Sequence, residues 1–426
     1  MSWRTVPLYK VANLESGFGF PREYQGDENQ ECPFFRVSDM NIAGNEVFME
    51  NHSNTVSAAI LKELGARAFP AGTVIFPKIG AAIATEKKRI LTKLATYDNN
   101  VMGAIPKVGT NPKFLYYWFL QLKLSDRANP GHVPSIRKSV MEEIPFPVVA
   151  PSEQLRIVEL LDEADRLRRI RREADAKAAR ILPALFLKMF GDPATNPMGW
   201  PTDRLDYWFD VFGGGTPSKA NGEYWTGDIP WVSPKDMKVD VIQDTEDHIT
   251  KDAVANSATN LVDPGSILIV YRSGILAHTF PVAIAGQTLA LNQDLKALTS
   301  RGEVLNEFIY GWLISGQRLA LSCVKKGATV HNIDGPRFLG LEVQRPPRDL
   351  QEDFARHLRA LLLQKNKREK AAQKVEALFA LLLQKAFAGQ LTDKWRNAHL
   401  QEVLAEMTQQ ARTLNLPMPK ELEALS

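Results

Sequence analysis

Basic residues set beside amides, hydroxyls and imidazoles are the most visible chemistry in this chain. The stretch Lys325-Lys326-Gly327-Ala328-Thr329-Val330-His331-Asn332 places two ammonium groups next to three side chains that donate and accept hydrogen bonds. Tyr271-Arg272-Ser273-Gly274 sets a guanidinium beside a hydroxyl. Earlier in the chain stand Lys78, the cluster Glu86-Lys87-Lys88-Arg89, and Gly131-His132-Val133-Pro134-Ser135-Ile136-Arg137-Lys138. Lysine and arginine neutralise phosphates, while Arg, Asn, His and Ser address base edges in a groove, so such loops suit duplex DNA. The candidate contacts are therefore Lys78, Lys87, Lys88, Arg89, His132, Ser135, Arg137 and Lys138 in the first half, and Arg272, Ser273, Lys325, Lys326, Thr329, His331 and Asn332 in the second. Any one of these lysines could serve solubility alone; recurrence at corresponding places carries the reading. The basic runs Arg166-Leu167-Arg168-Arg169 and Lys365-Asn366-Lys367-Arg368 read instead as solvated or partner-facing sides of helices.

No catalytic constellation accompanies these loops. There is no GxxxxGK[ST] phosphate loop, and Gly213-Gly214-Gly215-Thr216-Pro217 lacks the lysine. Gly17-Phe18-Gly19-Phe20 lacks the third glycine of a dinucleotide site, and Asn111-Pro112-Lys113-Phe114 lacks the second proline of an amino-methyltransferase signature. The seven histidines are scattered without metal-ligand spacing, and the two cysteines, Cys32 and Cys323, form no CxxC. No carboxylate pair recurs in both halves, as a duplicated active site would require. The net charge of +3 over 426 residues is mildly basic, so local clusters rather than the total must identify an anionic partner. No apolar run approaches the roughly 18 residues of a membrane span and the N-terminus has no signal-peptide pattern, so a cytoplasmic protein without membrane contact is expected.

The elements that must hold these loops come in duplicate. Val37-Ser38-Asp39-Met40 is echoed by Val232-Ser233-Pro234-Lys235-Asp236-Met237, and Phe69 to Phe76 by Val262 to Ile269. Asn99-Asn100 leading into Val101 matches Asn292-Gln293 leading into Asp294, and LYYWFL at Leu115 matches IYGWLI at Ile309. Short β-rich runs bounded by Pro and Gly, with aromatic helices at Lys113 to Lys123 and Asn306 to Ser315, give an α+β body in each copy. Each body is followed by a long helix. Ser152 to Phe190 carries Ile157, Leu160, Ala164, Leu167, Ala174, Ala178, Ile181 and Leu185 in a coiled-coil stripe interrupted only by Arg171. At about 1.5 Å per residue this is a rod of roughly 55 Å, which needs a partner. Leu350 to Phe387 supplies one, with Phe354, Leu358, Leu361, Arg368, Ala371, Val375, Leu378 and Leu382 in matching places. Antiparallel pairing gives a pseudo-twofold arrangement. It brings Arg171 and Arg368 together, where like charges would repel unless Glu369 or Glu173 neutralises them. A shorter helix, Asp393 to Thr413, lies outside the repeat.

This order and duplication resemble the DNA specificity (S) subunit of type I restriction–modification systems, over nearly the whole chain. The resemblance is carried by W-x-V-S-P-K-D-M at Trp231, P-G-S-I-L at Pro264, L-N-Q-D-L at Leu291, K-G-A-T-V-H-N-I at Lys326, A-L-F-L-K-M-F-G-D at Ala184 and L-L-Q-K-A-F-A-G-Q-L at Leu382. The first half departs from it in its Gly-His-Val-Pro-Ser-Ile loop and its YDNN stretch. The resemblance implies an α+β fold of two tandem target-recognition domains, 1–149 and 193–347, with spacer helices at 150–192 and 348–391 and a helical tail at 392–426. It also implies a non-catalytic subunit that reads a bipartite duplex, the helices setting the unread spacer. Two adenine methyltransferase (M) subunits and the restriction (R) subunits would assemble on it. S-adenosylmethionine, ATP and Mg would then belong to those partners, and the chain itself would hold no cofactor or metal. Two other readings compete: a protein-binding coiled-coil scaffold, which leaves the duplicated polar loops unexplained, and a fused DNA-modifying enzyme, which lacks a visible motif.

Overall fold

The structure, a computed structural model, describes residues 3–327 and 330–416. The chain forms two compact units. One runs to Ile170 and resumes at Gln373, and the other runs from Arg171 to Ala372. Each unit is thus one globular body together with parts of both long helices.

The two bodies share one topology. The first has a five-stranded sheet in the order Ala12–Ser16, Val101–Pro106, Val74–Pro77, Arg89–Leu91, Phe48–Met49. The second repeats it as Phe209–Gly213, Leu295–Ser300, Ile267–Val270, Val282–Ala285, Val241–Ile242. In both, three antiparallel pairings are followed by one parallel pairing. The middle strands, VIFP and ILIV, are buried along their whole length, as unalternating apolar runs covered on both faces should be. The aromatic helices Pro112–Gln121 and Asn306–Ser315 join the same cores. Asn111 starts the first of them by accepting from the Lys113 and Phe114 amides, with Pro112 at the first helical position.

A smaller sheet lies alongside in each unit. Cys32–Phe35 pairs antiparallel with Thr55–Val56 and parallel with Thr96–Tyr97. Ile229–Val232 does the same with His248–Ile249 and Leu289–Leu291, and Leu261–Val262 adds a fourth strand. Hydrogen bonds correct the sequence register here. The Arg36 amide donates to Asp39 Oδ2 at 2.7 Å as the Ser233 amide donates to Asp236 Oδ2 at 2.8 Å, so Arg36, not Ser38, is the counterpart of Ser233. Likewise Asn100 N to Asp98 Oδ1 matches Asp294 N to Asn292 Oδ1, one residue away from the motif alignment. The two glycine-rich stretches serve close backbone approach: a Cβ at Gly17 would stand 2.0 Å from the Asp98 carbonyl oxygen, and one at Gly214 2.2 Å from that of Asn292.

The first long helix departs from expectation. It spans Pro151–Ala178, and a second helix, Ile181–Phe190, follows. Pro183 explains the break, since it has no amide for the Ala179 carbonyl and its ring crowds that carbonyl. The later helix, Arg348–Phe387, is continuous. The buried face is also turned. Leu167 is 52% exposed and Ile181 48% exposed, while Leu161 and Phe186 point inward. A straight helix drifts about 20° per heptad against a 3.5-residue repeat, so the strict stripe cannot stay in the seam.

Pairing within each unit is antiparallel. In the first, Arg168 reaches Glu376 at 2.5 Å and lies 3.9 Å over the Phe379 ring. In the second, Phe186 packs on Phe354 while Arg171 lies beside Arg368. Asp175, rather than Glu173 or Glu369, neutralises that arginine pair, at 3.0 Å from Arg171 and 3.6 Å from Arg368. Arg171 also donates to the Arg368 carbonyl at 2.7 Å.

A buried glutamine at the start of each long helix locks it to its body. Gln154 Nε2 donates to the Gly109 and Val149 carbonyls, and Gln351 Nε2 to those of Glu303 and Pro346. The tail outside the repeat forms two helices, Asp393–Ala398 and Leu400–Thr413, which belong to the first unit. Between them His399 leaves helical geometry and its ring stacks on Trp395.

Candidate nucleic-acid interface

In the second unit the separate polar loops converge on one ribbon. The buried strand Ile267–Val270 runs out through Tyr271 into Arg272–Ser273, which pairs antiparallel with His331–Ile333, and that strand pairs in turn with Val324–Lys325. Arg272 faces Asn332 in the register, and Ser273 faces His331. The base of the ribbon is anchored by the Asp294 carbonyl, which accepts from the Tyr271 amide at 2.8 Å and the Arg272 amide at 3.1 Å. Lys296 lies 4.0 Å over the Tyr271 ring, and burial pulls its ammonium below the usual lysine value.

The side chains of this ribbon are presented to solvent. Arg272 is 60% exposed and lies 4.0 Å from Asp294, and Lys325 is 70% exposed and lies 3.1 Å from Asp334. The Lys325 ammonium in turn holds the Asp334 carboxyl below the usual carboxylate range. Exposed ion pairs of this kind are weak, so a phosphate can replace the carboxylate. Lys326 and Asn332 are exposed as well. The Gly327 amide donates to His331 Nδ1 at 3.1 Å, so the neutral imidazole carries its proton on Nε2. Ser273 is less available, because its hydroxyl accepts from the Ile275 amide as the cap of the Gly274–Ala277 turn. Thr329 lies outside the described residues.

The first unit repeats the arrangement in reduced form. Lys78 follows the corresponding strand, and Ser135 bridges both Ile79 and Asn129 antiparallel, where the second unit has full strand pairs. The Ile136 amide donates to the Lys78 carbonyl at 2.9 Å as the Ile333 amide does to that of Tyr271, also at 2.9 Å. His132, Arg137 and Lys138 are exposed on this loop and Ser135 is half-buried within it. Lys78 is held back, donating to Ser16 Oγ at 2.9 Å, and burial lowers its ammonium pKa. Lys138 lies 3.9 Å from Glu15 and 3.7 Å from Glu142.

The cluster at Glu86 has a different role from the one expected. Lys88 is 2% exposed and donates to Glu86 Oε2 at 2.9 Å and the Leu122 carbonyl at 2.8 Å, so it is an internal tie and not a surface cation. Arg89 is spent similarly on the carbonyls of Lys88 and Met40. Lys87 hydrogen-bonds Asn41. Burial pushes the Glu86 carboxyl up, but Lys88 and the Ser125 and Leu124 amides outweigh it and hold the group at about 2. Sequence reasoning grouped these residues by charge alone. It also passed over Asp294, Asp334, Ser16 and Glu15, the partners that aim the basic groups; Asp294 stands inside the Leu291 motif and was legible as a conspicuous acid among basic loops.

This geometry defines a duplicated module: a buried strand that emerges into a basic, amide-bearing ribbon, on a body locked to long helices. The chain belongs to the family of type I restriction modification DNA specificity domains, which it matches over residues 2–178 and again over 197–377. It is 32% identical over 247 residues to the EcoR124I/EcoR124II type I restriction enzyme specificity subunit of Escherichia coli, covering 55% of this chain and 59% of that one. It is 30% identical over 164 residues to the type I restriction enzyme MjaIX specificity subunit of Methanocaldococcus jannaschii, covering 37% of each. The matched stretches thus span less than two thirds of these relatives. A solved chain described under complex assembly and conformational transition of the type I R-M system matches 92% of this chain and 98% of its own length, at a TM-score of 0.55 and 15% identity. At that identity the likeness speaks for the fold: two tandem α+β copies with paired long helices.

Proposed function

We propose that this chain is the sequence-specificity subunit of a type I restriction–modification complex, each unit reading one part of a bipartite duplex. The observation that carries the reading is the repetition of the ribbon with the same backbone hydrogen bond at its root, Ile136 to Lys78 and Ile333 to Tyr271. In the second unit Arg272, Lys325 and Lys326 engage phosphates, while Asn332 and the Nε2–H of His331 address base edges. In the first unit His132, Arg137 and Lys138 take these parts, with Lys78 and Ser135 shaping the loop. The chain is non-catalytic in this reading. Methyl transfer with S-adenosylmethionine belongs to two adenine methyltransferase subunits, and ATP- and Mg-dependent restriction to further subunits, all in the cytoplasm. Leu167, Ile170, Leu378 and Leu381, apolar yet exposed on the long helices of the first unit, offer docking surface for such partners.

The test is methylation by the assembled complex across a randomised bipartite target library. Asn332→Ala should relax specificity at one half-site, by about 1–3 kcal/mol of discrimination for a lost bidentate base contact. The other half-site and assembly should be unchanged. Relaxation in both halves, or in neither, would refute the two-reader assignment.

A further inference from the structure

The two units differ at one corresponding place on their smaller sheets. Phe34 and Trp231 are counterparts: each is the third residue of its strand, and they pair in parallel with Thr96 and Ala290 respectively. In the first unit Phe20 lies flat on Phe34, ring centroids 3.7 Å apart and planes 7° from parallel. Counting on from Gly17 and Gly214, the matched glycines of close backbone approach, the counterpart of Phe20 is Pro217, which brings no flat ring. There Trp231 lines a cavity of about 390 Å³ with Lys219, Gly222, Trp225 and Asp247. By the same count Trp225 stands where the first unit has Glu28, and its ring meets that of Trp231 edge-on, at 5.0 Å and 86°.

One short loop joins this cavity to the basic ribbon of the same unit. Trp231 Nε1 donates to the Gly215 carbonyl at 3.1 Å, and the next residue, Thr216, hydrogen-bonds Gln293. The residue after Gln293 is Asp294, whose carbonyl anchors the ribbon. The walls suit a flat heteroaromatic ring that carries a phosphate. Two indoles offer stacking surface, and the exposed ammonium of Lys219 meets the phosphate. Lys235 holds Asp247 Oδ2 at 2.9 Å, and Oδ1 can accept from an amino group. We infer that the cavity receives a single nucleobase extruded from the duplex beside the ribbon, the base lying over Trp231 as Phe20 lies over Phe34. Stacking on the indoles offsets the pairing that the base gives up. Asp247 favours a base with an amino group over thymine. The inference rests on the reading of the second unit as a DNA reader, and it makes the two readers unequal: the first unit fills the place with its own ring and extrudes no base.

The test uses the duplex selected by the methylation library, with the base opposite each position replaced in turn by an abasic residue. Fluorescence anisotropy measures its binding to the full chain in the proposed methyltransferase complex. At one position in or beside the half-site that Asn332→Ala relaxes, removing the opposite base should tighten binding about tenfold or more, because the captured base no longer has to be unpaired. Trp225→Ala should abolish that gain. Pro217→Phe should abolish it too, since it copies the first unit's own ring into the cavity and leaves both indoles in place. Trp225→Phe, which keeps an aromatic wall, should retain most of it. No position with such a gain, a gain only in the other half-site, or a gain that survives in either Trp225→Ala or Pro217→Phe would overturn the inference. So would adenosine monophosphate bound by the wild type and not by Trp225→Ala while no duplex position responds, since the ring then comes from a free nucleotide. A wild-type complex that binds no duplex at all would instead sink the specificity-subunit reading itself.

Discussion

Removing both exposed cations of the second ribbon, in the variant Arg272→Ala/Lys325→Ala, isolates the electrostatic part of the proposed DNA binding from the fold. Neither side chain supports the core: they are 60% and 70% exposed and their carboxylate partners stand at 4.0 and 3.1 Å. Each phosphate contact contributes about 0.9 to the slope of log affinity against log salt, so losing two lowers that slope by about 1.8. Between 50 and 200 mM salt, a fourfold change, the deficit of the variant should therefore shrink about 12-fold, being largest at low salt. Fluorescence anisotropy of a labelled target duplex with the proposed methyltransferase complex reads this directly. Asp294→Asn is the informative companion, since freeing Arg272 from a competing carboxylate should raise affinity by up to about fivefold. A double variant with the wild-type slope would refute the assignment of these residues to phosphate, whatever its affinity.

Lys88→Met should lower stability by about 1–3 kcal/mol, because it removes a buried donor from the Leu122 carbonyl and from Glu86, yet leave the DNA affinity of the folded protein unchanged; denaturant unfolding and anisotropy together check it. The Glu86 carboxyl is depressed from 4.5 to about 2, so its contribution is present above pH 4.5 and lost as pH falls towards 2. Glu86→Gln should therefore be less stable than wild type at neutral pH by about 1–2 kcal/mol after solvent screening, and urea titrations should converge over that acid window. Arg396→Met should be the most damaging change in the first unit. Arg396 and Glu153 are 2% and 1% exposed and 2.8 Å apart. Stranding that carboxylate should cost about 3–5 kcal/mol, and Glu153→Met added to it should restore most of the loss in thermal melts.

Local and periodic features were legible in the amino-acid order. The duplication, the α+β bodies, the two long helices and the loops that follow Val74–Pro77 and Ile267–Val270 all rest on signals within one segment: apolar runs, caps, proline and glycine stops. These act over a few residues, so they can be read without knowing what lies across the fold. Charge did not behave this way. Lys87, Lys88 and Arg89 look alike as text, but Leu122 and Met40 decide that two of them are spent on carbonyls. The seam of the first helix also escaped the heptad reading, because the bodies and the intrinsic helical twist select which stripe is buried.

Asp175 as the neutraliser of Arg171 and Arg368, the Tyr271–Lys296 contact beneath the ribbon and the convergence of Arg272, Lys325 and Asn332 on one ladder join residues from distant segments. The same is true of the C-terminal helix, which lies outside the repeat in sequence but belongs to the first unit in the fold. Sequence by itself determined which elements form and that they form twice. Only the tertiary structure decided which charges remain available, because the availability of a cation depends on the carbonyls and carboxylates that distant segments bring within hydrogen-bond reach.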